Sequence, residues 1–99
     1  MNKRYLEPAR KYILSLSAAE QGIIASDIEA LCSGRFDAVR TKKLRGPVRE
    51  LIVGNHRLTY FILENTFYFV RGFRKKTAKT PKREIEYAEK IYKIMKESI

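Results

Sequence analysis

Residues 48–73 read VRELIVGNHRLTYFILENTFYFVRGF, and this stretch decides the fold. It divides into three β-rich runs separated by two turn pairs. Val48 to Val53 is the first run, and Gly54-Asn55 is the first turn. Arg57 to Leu63 is the second run, Glu64-Asn65 turns the chain again, and Thr66 to Phe73 is the third. Branched and aromatic side chains suit a pleated, half-buried surface, and short Gly/Asn turns join neighbouring antiparallel strands. The stretch therefore predicts a three-stranded antiparallel meander. Alternation places Leu58, Tyr60 and Ile62 on one face of its middle strand.

On the N-terminal side the apolar period lengthens. Glu7 to Leu16 reads as a short helix with Tyr12, Ile13 and Leu16 as its apolar members. Ser17 then offers an N-cap, and Glu20 three residues on can close a capping box. Ile24, Ile28 and Leu31 recur at helical spacing as far as about Cys32, and Ser33-Gly34 ends the second helix. The short link at Ser17 predicts an antiparallel helical hairpin. Residues 35–47 read as a loop. On the C-terminal side Thr80-Pro81 reads as a helix start, with Thr as cap and Pro at the first helical position. Ile85, Ala88, Ile91, Tyr92 and Met95 form an apolar stripe expected to pack on the sheet. The expected class is α+β, one domain over residues 1–99: an N-terminal helical hairpin, a three- or four-stranded antiparallel sheet and a C-terminal helix. One face of such a sheet must be covered by helices, which leaves the other face and the strand ends for binding.

The chain carries a formal charge of +10, and its distribution is uneven. Residues 1–40 hold six Lys or Arg against five acids, residues 41–83 twelve against two, and residues 84–99 three against four. The whole excess therefore lies in the middle of the chain. From Arg71 to Arg83 seven of thirteen residues are basic and none is acidic. Clustered cations of this kind favour polyanions through steering and counterion release. The plainer alternative is solubility together with an acidic partner protein. Cys32 is the only cysteine, which leaves no disulfide framework and no cysteine metal cluster, and it reads as a small apolar helix residue. No apolar leader opens the chain, and no run approaches the roughly 20 apolar residues of a membrane span. The expected location is the cytoplasm, with no membrane partner.

Several motifs occur in order. They are Lys43-Leu44-Arg45-Gly46, Arg49-Glu50-Leu51, Arg57-Leu58-Thr59-Tyr60, and Gly72-Phe73-Arg74-Lys75-Lys76-Thr77 followed by Lys79-Thr80-Pro81. Together they resemble the RelE/ParE toxin superfamily, in particular its phage-derived, HigB-like branch, over roughly residues 42–90. Members of that family usually open with a β-strand, for which Met1 to Tyr5 reads as too short and too basic. Val53 stands where the strand often carries Arg, and His56 where an aromatic is common. The resemblance implies the toxin of a type II toxin–antitoxin pair. Such toxins are endoribonucleases, often cutting mRNA in the ribosomal A site, and the cognate antitoxin usually carries a helix-turn-helix domain. The expected partners are thus an antitoxin, mRNA and the ribosome.

RNA cleavage must deprotonate the 2′-OH, stabilise charge on the phosphorane and protonate the 5′-oxygen. The sequence has no metal-ligand spacing, so the expected cofactor set is empty and cations carry the chemistry. Arg57 opens a strand, matches the family's strand arginine and is the candidate phosphate clamp. Arg74, Lys75 and Lys76 are the other catalytic candidates, since a lysine crowded by cations can exchange a proton near neutral pH. Lys42, Lys43, Arg45, Arg71 and Lys79 are expected to grip the RNA backbone. Glu50 is either a general base or a partner of Arg49, Arg57 or a loop lysine, with pairing favoured. His56 could exchange protons, but after a Gly-Asn turn it is expected to be an exposed polar residue. Of Tyr60, Phe61, Phe67, Tyr68 and Phe69, half are expected in the core, while the others are free to stack on bases. Two rival functions stay open: a gyrase-poisoning toxin of the same superfamily, and a non-catalytic nucleic-acid-binding module.

Overall fold

The computed structural model describes residues 1–99. In chain order it comprises β1 (Asn2–Tyr5), α1 (Glu7–Leu14), α2 (Ala18–Cys32), a 3-10 turn (Phe36–Ala38), β2 (Arg40–Arg45), β3 (Val48–Val53), β4 (His56–Leu63), β5 (Thr66–Arg74) and α3 (Lys82–Glu97). The strands form one mixed sheet in the order β1-β5-β4-β3-β2. The predicted meander is its centre, β3 to β5, paired antiparallel. Glu64 and Asn65 both take positive φ, as a two-residue hairpin turn of type I′ requires. The capping box forms as expected: the Glu20 amide donates to Ser17 Oγ at 3.2 Å, and the Ser17 amide donates to Glu20 Oε1 at 3.3 Å.

Two strands were hidden in segments expected to be irregular. Residues 35–47 contain β2, which pairs antiparallel with β3. Met1 to Tyr5 contains β1, which pairs parallel with β5 from Asn2 opposite Thr66 to Tyr5 opposite Phe69. The sheet therefore has five strands, where three or four were expected. Both added strands lie at edges, where charged side chains are favoured because they discourage pairing with other chains.

Helices cover both faces, which corrects the expectation of one free face. On one side α1 and α2 enclose Ile24, Ile28, Leu31, Leu51, Leu58, Tyr60, Phe67 and Phe69. Cys32 is buried here as a small apolar residue. On the other side α3 lays Ala88, Ile91, Tyr92 and Met95 against Val48, Phe61 and Val70. Of the five central aromatics, Tyr60, Phe61, Phe67 and Phe69 are buried and Tyr68 is partly so, leaving few rings for stacking. Ile62 is 44% exposed despite sharing a strand face with Leu58 and Tyr60. Gly72 has a packing reason: a Cβ there would lie 2.3 Å from Tyr12 Cδ2 and 2.9 Å from Leu58 Cδ2, so only glycine lets α1 approach β5.

α3 begins one residue later than expected. Its N-cap is Pro81, with no side-chain cap. Thr80 is turned inward instead, and its hydroxyl donates to Glu50 Oε1 at 2.6 Å.

Candidate nucleic-acid interface

Strand register builds the site. On the face that carries α3, one cross-strand row runs Arg40, Ile52, Arg57, Phe73 from β2 to β5. The next row runs Lys42, Glu50, Thr59, Arg71. The segment between β5 and α3, residues 75–81, completes a pocket of about 210 Å³ with these strands. Its Lys75 amide donates to Asn55 O at 2.7 Å, and Thr80 is tied to Glu50. Six cations line the pocket: Arg40, Lys42, Arg57, Lys75, Lys76 and Lys79. Glu50 is the only carboxylate among them.

Glu50 is 2% exposed and accepts its hydrogen bond from Thr80. No Lys, Arg or His nitrogen forms a salt bridge with it, so the expected pairing with Arg49, Arg57 or a loop lysine does not occur. Arg49 points to the opposite face, where it donates to Tyr60 Oη at 3.3 Å and Thr41 Oγ1 at 3.4 Å. Arg57 is half-buried, and its Nη1 donates to Gly54 O at 2.7 Å and to His56 O at 3.0 Å. Those bonds anchor the guanidinium to the β3–β4 turn.

Other predicted residues fall outside this pocket. Arg74 lies on the α1–α2 side, its Nη2 3.4 Å from Glu20 Oε2. Lys43 alternates to that side as well, opposite Arg49 in the register. Arg45 donates to Glu89 Oε1 at 2.6 Å, and this bond holds the Glu89 carboxyl below the usual carboxylate range. Arg71 sets its Nε 3.0 Å from Glu84 Oε1 and its guanidinium 4.9 Å from the centre of the Tyr87 ring. The geometry at Glu84 is that of an ion pair off the hydrogen-bond line, since Oε1 has no hydrogen-bond donor. Arg71 thus fastens α3 to the sheet.

His56 differs most from its expectation. It is 6% exposed, not a surface residue. Nδ1 lies 2.6 Å from Tyr12 Oη, and Nε2 lies 2.9 Å from Glu20 Oε2. A carboxylate can only accept, so Nε2 carries the proton and, in the neutral ring, Nδ1 accepts from the tyrosine hydroxyl. The Glu20 carboxyl is held below the usual range, first by the Ser17 hydroxyl and then by His56. Burial pushes the Tyr12 phenol up. The imidazole therefore ties α1, α2 and β4 together on the face away from the pocket. His56→Ala leaves the Tyr12 hydroxyl and Glu20 without this partner. It is expected to cost about 1–3 kcal/mol in urea unfolding. A wild-type unfolding midpoint would overturn this account of the imidazole.

Arg40, Ile52, Phe73 and Thr80 belong to the pocket but were not among the candidate site residues read from sequence. Arg40 and Lys42 share a period of two with Leu44, and that alternation was the available signal. No group of three His, Cys, Asp or Glu side chains is placed to hold a metal ion. No helix is long and apolar enough to cross a membrane.

The family model described as Phage derived protein Gp49-like (DUF891) matches residues 11–93. Among solved structures, the chain is similar to the isolated Escherichia coli RelE toxin, with 20% identity, 91% of this chain and 97% of that chain covered, and a TM-score of 0.58. It is similar to a chain of the archaeal RelE–RelB complex of Pyrococcus horikoshii, with 15% identity, 78% and 97% covered, and a TM-score of 0.64. It is also similar to a chain of the RelBE2 toxin–antitoxin complex of Mycobacterium tuberculosis, with 20% identity, 75% and 96% covered, and a TM-score of 0.61. Identities this low establish a shared fold. No curated protein sequence matches the chain.

Proposed function

This chain belongs to the phage-derived Gp49-like family and has the RelE-type fold, and from that premise we propose that it is the toxin of a type II toxin–antitoxin system. Its reaction in this reading is metal-independent endoribonucleolytic cleavage of mRNA on the ribosome. The observation that carries the reading is the pocket roofed by residues 75–81, where six cations surround one buried carboxylate. Such a pocket attracts a phosphodiester and holds a proton acceptor beside it.

The geometry supports a role for each of these residues. Arg57, anchored by two carbonyls, presents its remaining donors to the phosphate and to charge that grows on the phosphorane. Glu50 takes the 2′-OH proton, because it is the one carboxylate in the pocket and is spared an ion pair. A loop lysine, Lys75 or Lys76, returns a proton to the leaving 5′-oxygen. Lys42, Lys79 and Arg40 hold flanking phosphates. A cognate antitoxin keeps the toxin silent, and the solved complexes of similar folds with RelB support an antitoxin partner; in this reading it is of the helix-turn-helix type.

Expression of this chain alone is expected to arrest growth and translation. Primer extension on cellular mRNA should then reveal new in-frame breaks. Intact mRNA during full arrest would overturn the nuclease reading and favour gyrase poisoning, with a DNA-damage response as its sign.

A further inference from the structure

A second cleft lies on the other side of the 75–81 segment. Its volume is about 610 Å³, and it opens where β5 runs beyond its pairing with β1, which ends at Phe69. The two hollows share Phe73, Lys76, Thr77 and Pro81 as walls, so they lie side by side. The cleft adds two cations of its own, Arg74 from the end of β5 and Arg83 from the first turn of α3. Its one carboxylate, Glu84, is buried and already engaged by Arg71 at 3.0 Å. Arg83 stands 3.9 Å from that carboxylate and is 83% exposed, while Arg74 is 52% exposed beside Glu20. Both guanidiniums are exposed and their pairs are long, at 3.9 and 3.4 Å, so both are free to exchange partners.

The cleft also has an aromatic wall. Tyr12 lines it, and its hydroxyl is fixed by His56 while its ring lies against Gly72. A ring held on two sides loses little freedom when a base stacks on it. Cations beside fixed aromatics are the means by which proteins bind single-stranded nucleic acid with little sequence preference.

We propose that this β5-edge cleft is a second RNA subsite that holds the single-stranded chain on one side of the phosphate bound by Arg57, with Arg74 and Arg83 on its backbone and Tyr12 against a base. The inference rests on the reading of the first pocket as the cleavage site. It assigns Arg74 to substrate binding and gives a role to Arg83.

The test is fluorescence anisotropy with labelled 2′-O-methyl oligoribonucleotides of two and eight residues, which lack the 2′-OH nucleophile and stay intact. The wild-type chain should bind the octamer far more tightly than the dimer. The R74A/R83A double variant should lose at least tenfold in octamer affinity at low salt and keep its dimer affinity. Its log–log salt dependence should flatten by about 1.4, from about 0.7 per lost phosphate contact. R74K/R83K should restore most of both, which separates charge from folding. Wild-type octamer affinity and slope in the double alanine variant would overturn the subsite. So would a double variant that keeps RNA binding but loses its antitoxin, since the cleft would then be a protein site. Ribosomal cleavage by the wild-type chain is measured in parallel. If cleavage stands while the subsite prediction fails, only the subsite is wrong. If octamer binding responds as expected and no cleavage occurs, the subsite stands and the nuclease reading falls.

Discussion

Arg57→Ala is expected to slow cleavage on programmed ribosomes by roughly a hundred- to a thousandfold, or about 3–4 kcal/mol of transition-state stabilisation. The guanidinium is fixed by Gly54 O and His56 O, so its remaining donors are oriented before RNA arrives. A preorganised donor of this kind acts most strongly on charge that exists only at the transition state. The variant gives up two hydrogen bonds to the turn carbonyls, each worth about 1 kcal/mol or less at a half-exposed site. It should therefore melt only slightly below the wild type. Glu50→Gln is the companion measurement. The amide oxygen can still accept from Thr80, so the loop tie at 2.6 Å has a substitute, but the proton acceptor is gone. A comparable loss of rate with an intact fold is expected, since positioned acid–base groups contribute about a hundred- to ten-thousandfold. A folded Arg57→Ala protein that cuts at near wild-type rate removes Arg57 from the chemistry.

The largest effect on stability is expected from Phe61→Ala, a loss of about 3–5 kcal/mol. Phe61 is fully buried on the α3 face, and its ring meets Tyr92 edge-on with centroids 5.1 Å apart. It also packs beside Tyr68 at 5.5 Å. Truncation leaves a cavity between sheet and helix that neither rigid element can close. For a domain of this size the loss is a large share of total stability, which is of the order of 5–15 kcal/mol. Urea unfolding reads it directly. A loss below about 1 kcal/mol would mean that α3 is not held by this face, because fully buried aromatics do not cost so little to truncate.

What could be read from sequence follows the range of the interactions involved. Ser17 and Glu20 act within one turn, and the capping box forms as read. Strands β3 to β5 signal themselves by alternation and local turns: β3 has the expected limits, and β4 and β5 are each one residue longer. Strand β2 reads Arg-Thr-Lys-Lys-Leu-Arg, with four of six residues exposed, so an edge strand looks like a basic loop. Strand β1 is exposed along its length, and its partner lies some 60 residues away, so no local pattern betrays it. The pocket was legible in part. Arg57, Lys75, Lys76, Lys79, Lys42 and Glu50 converge, because basic density and motif order both pointed there. Arg74 and Lys43 were misplaced because one step along a strand reverses the face. The burial of His56 depends on Tyr12 and Glu20, 44 and 36 residues away, and composition near a turn carries no trace of them.

The parallel pairing of β1 with β5 also sets an order on synthesis. Asn2 to Tyr5 leave the ribosome early, yet their partners are Thr66 to Phe69. Contacts so distant in sequence must pay their loop-closure entropy first and so form late. Until β5 emerges, the nascent chain has neither its full sheet nor Phe73, and until the following segment emerges it lacks both the roof and Lys75, Lys76 and Lys79, three of the six cations. Each new copy therefore lacks the assembled pocket for most of its own production.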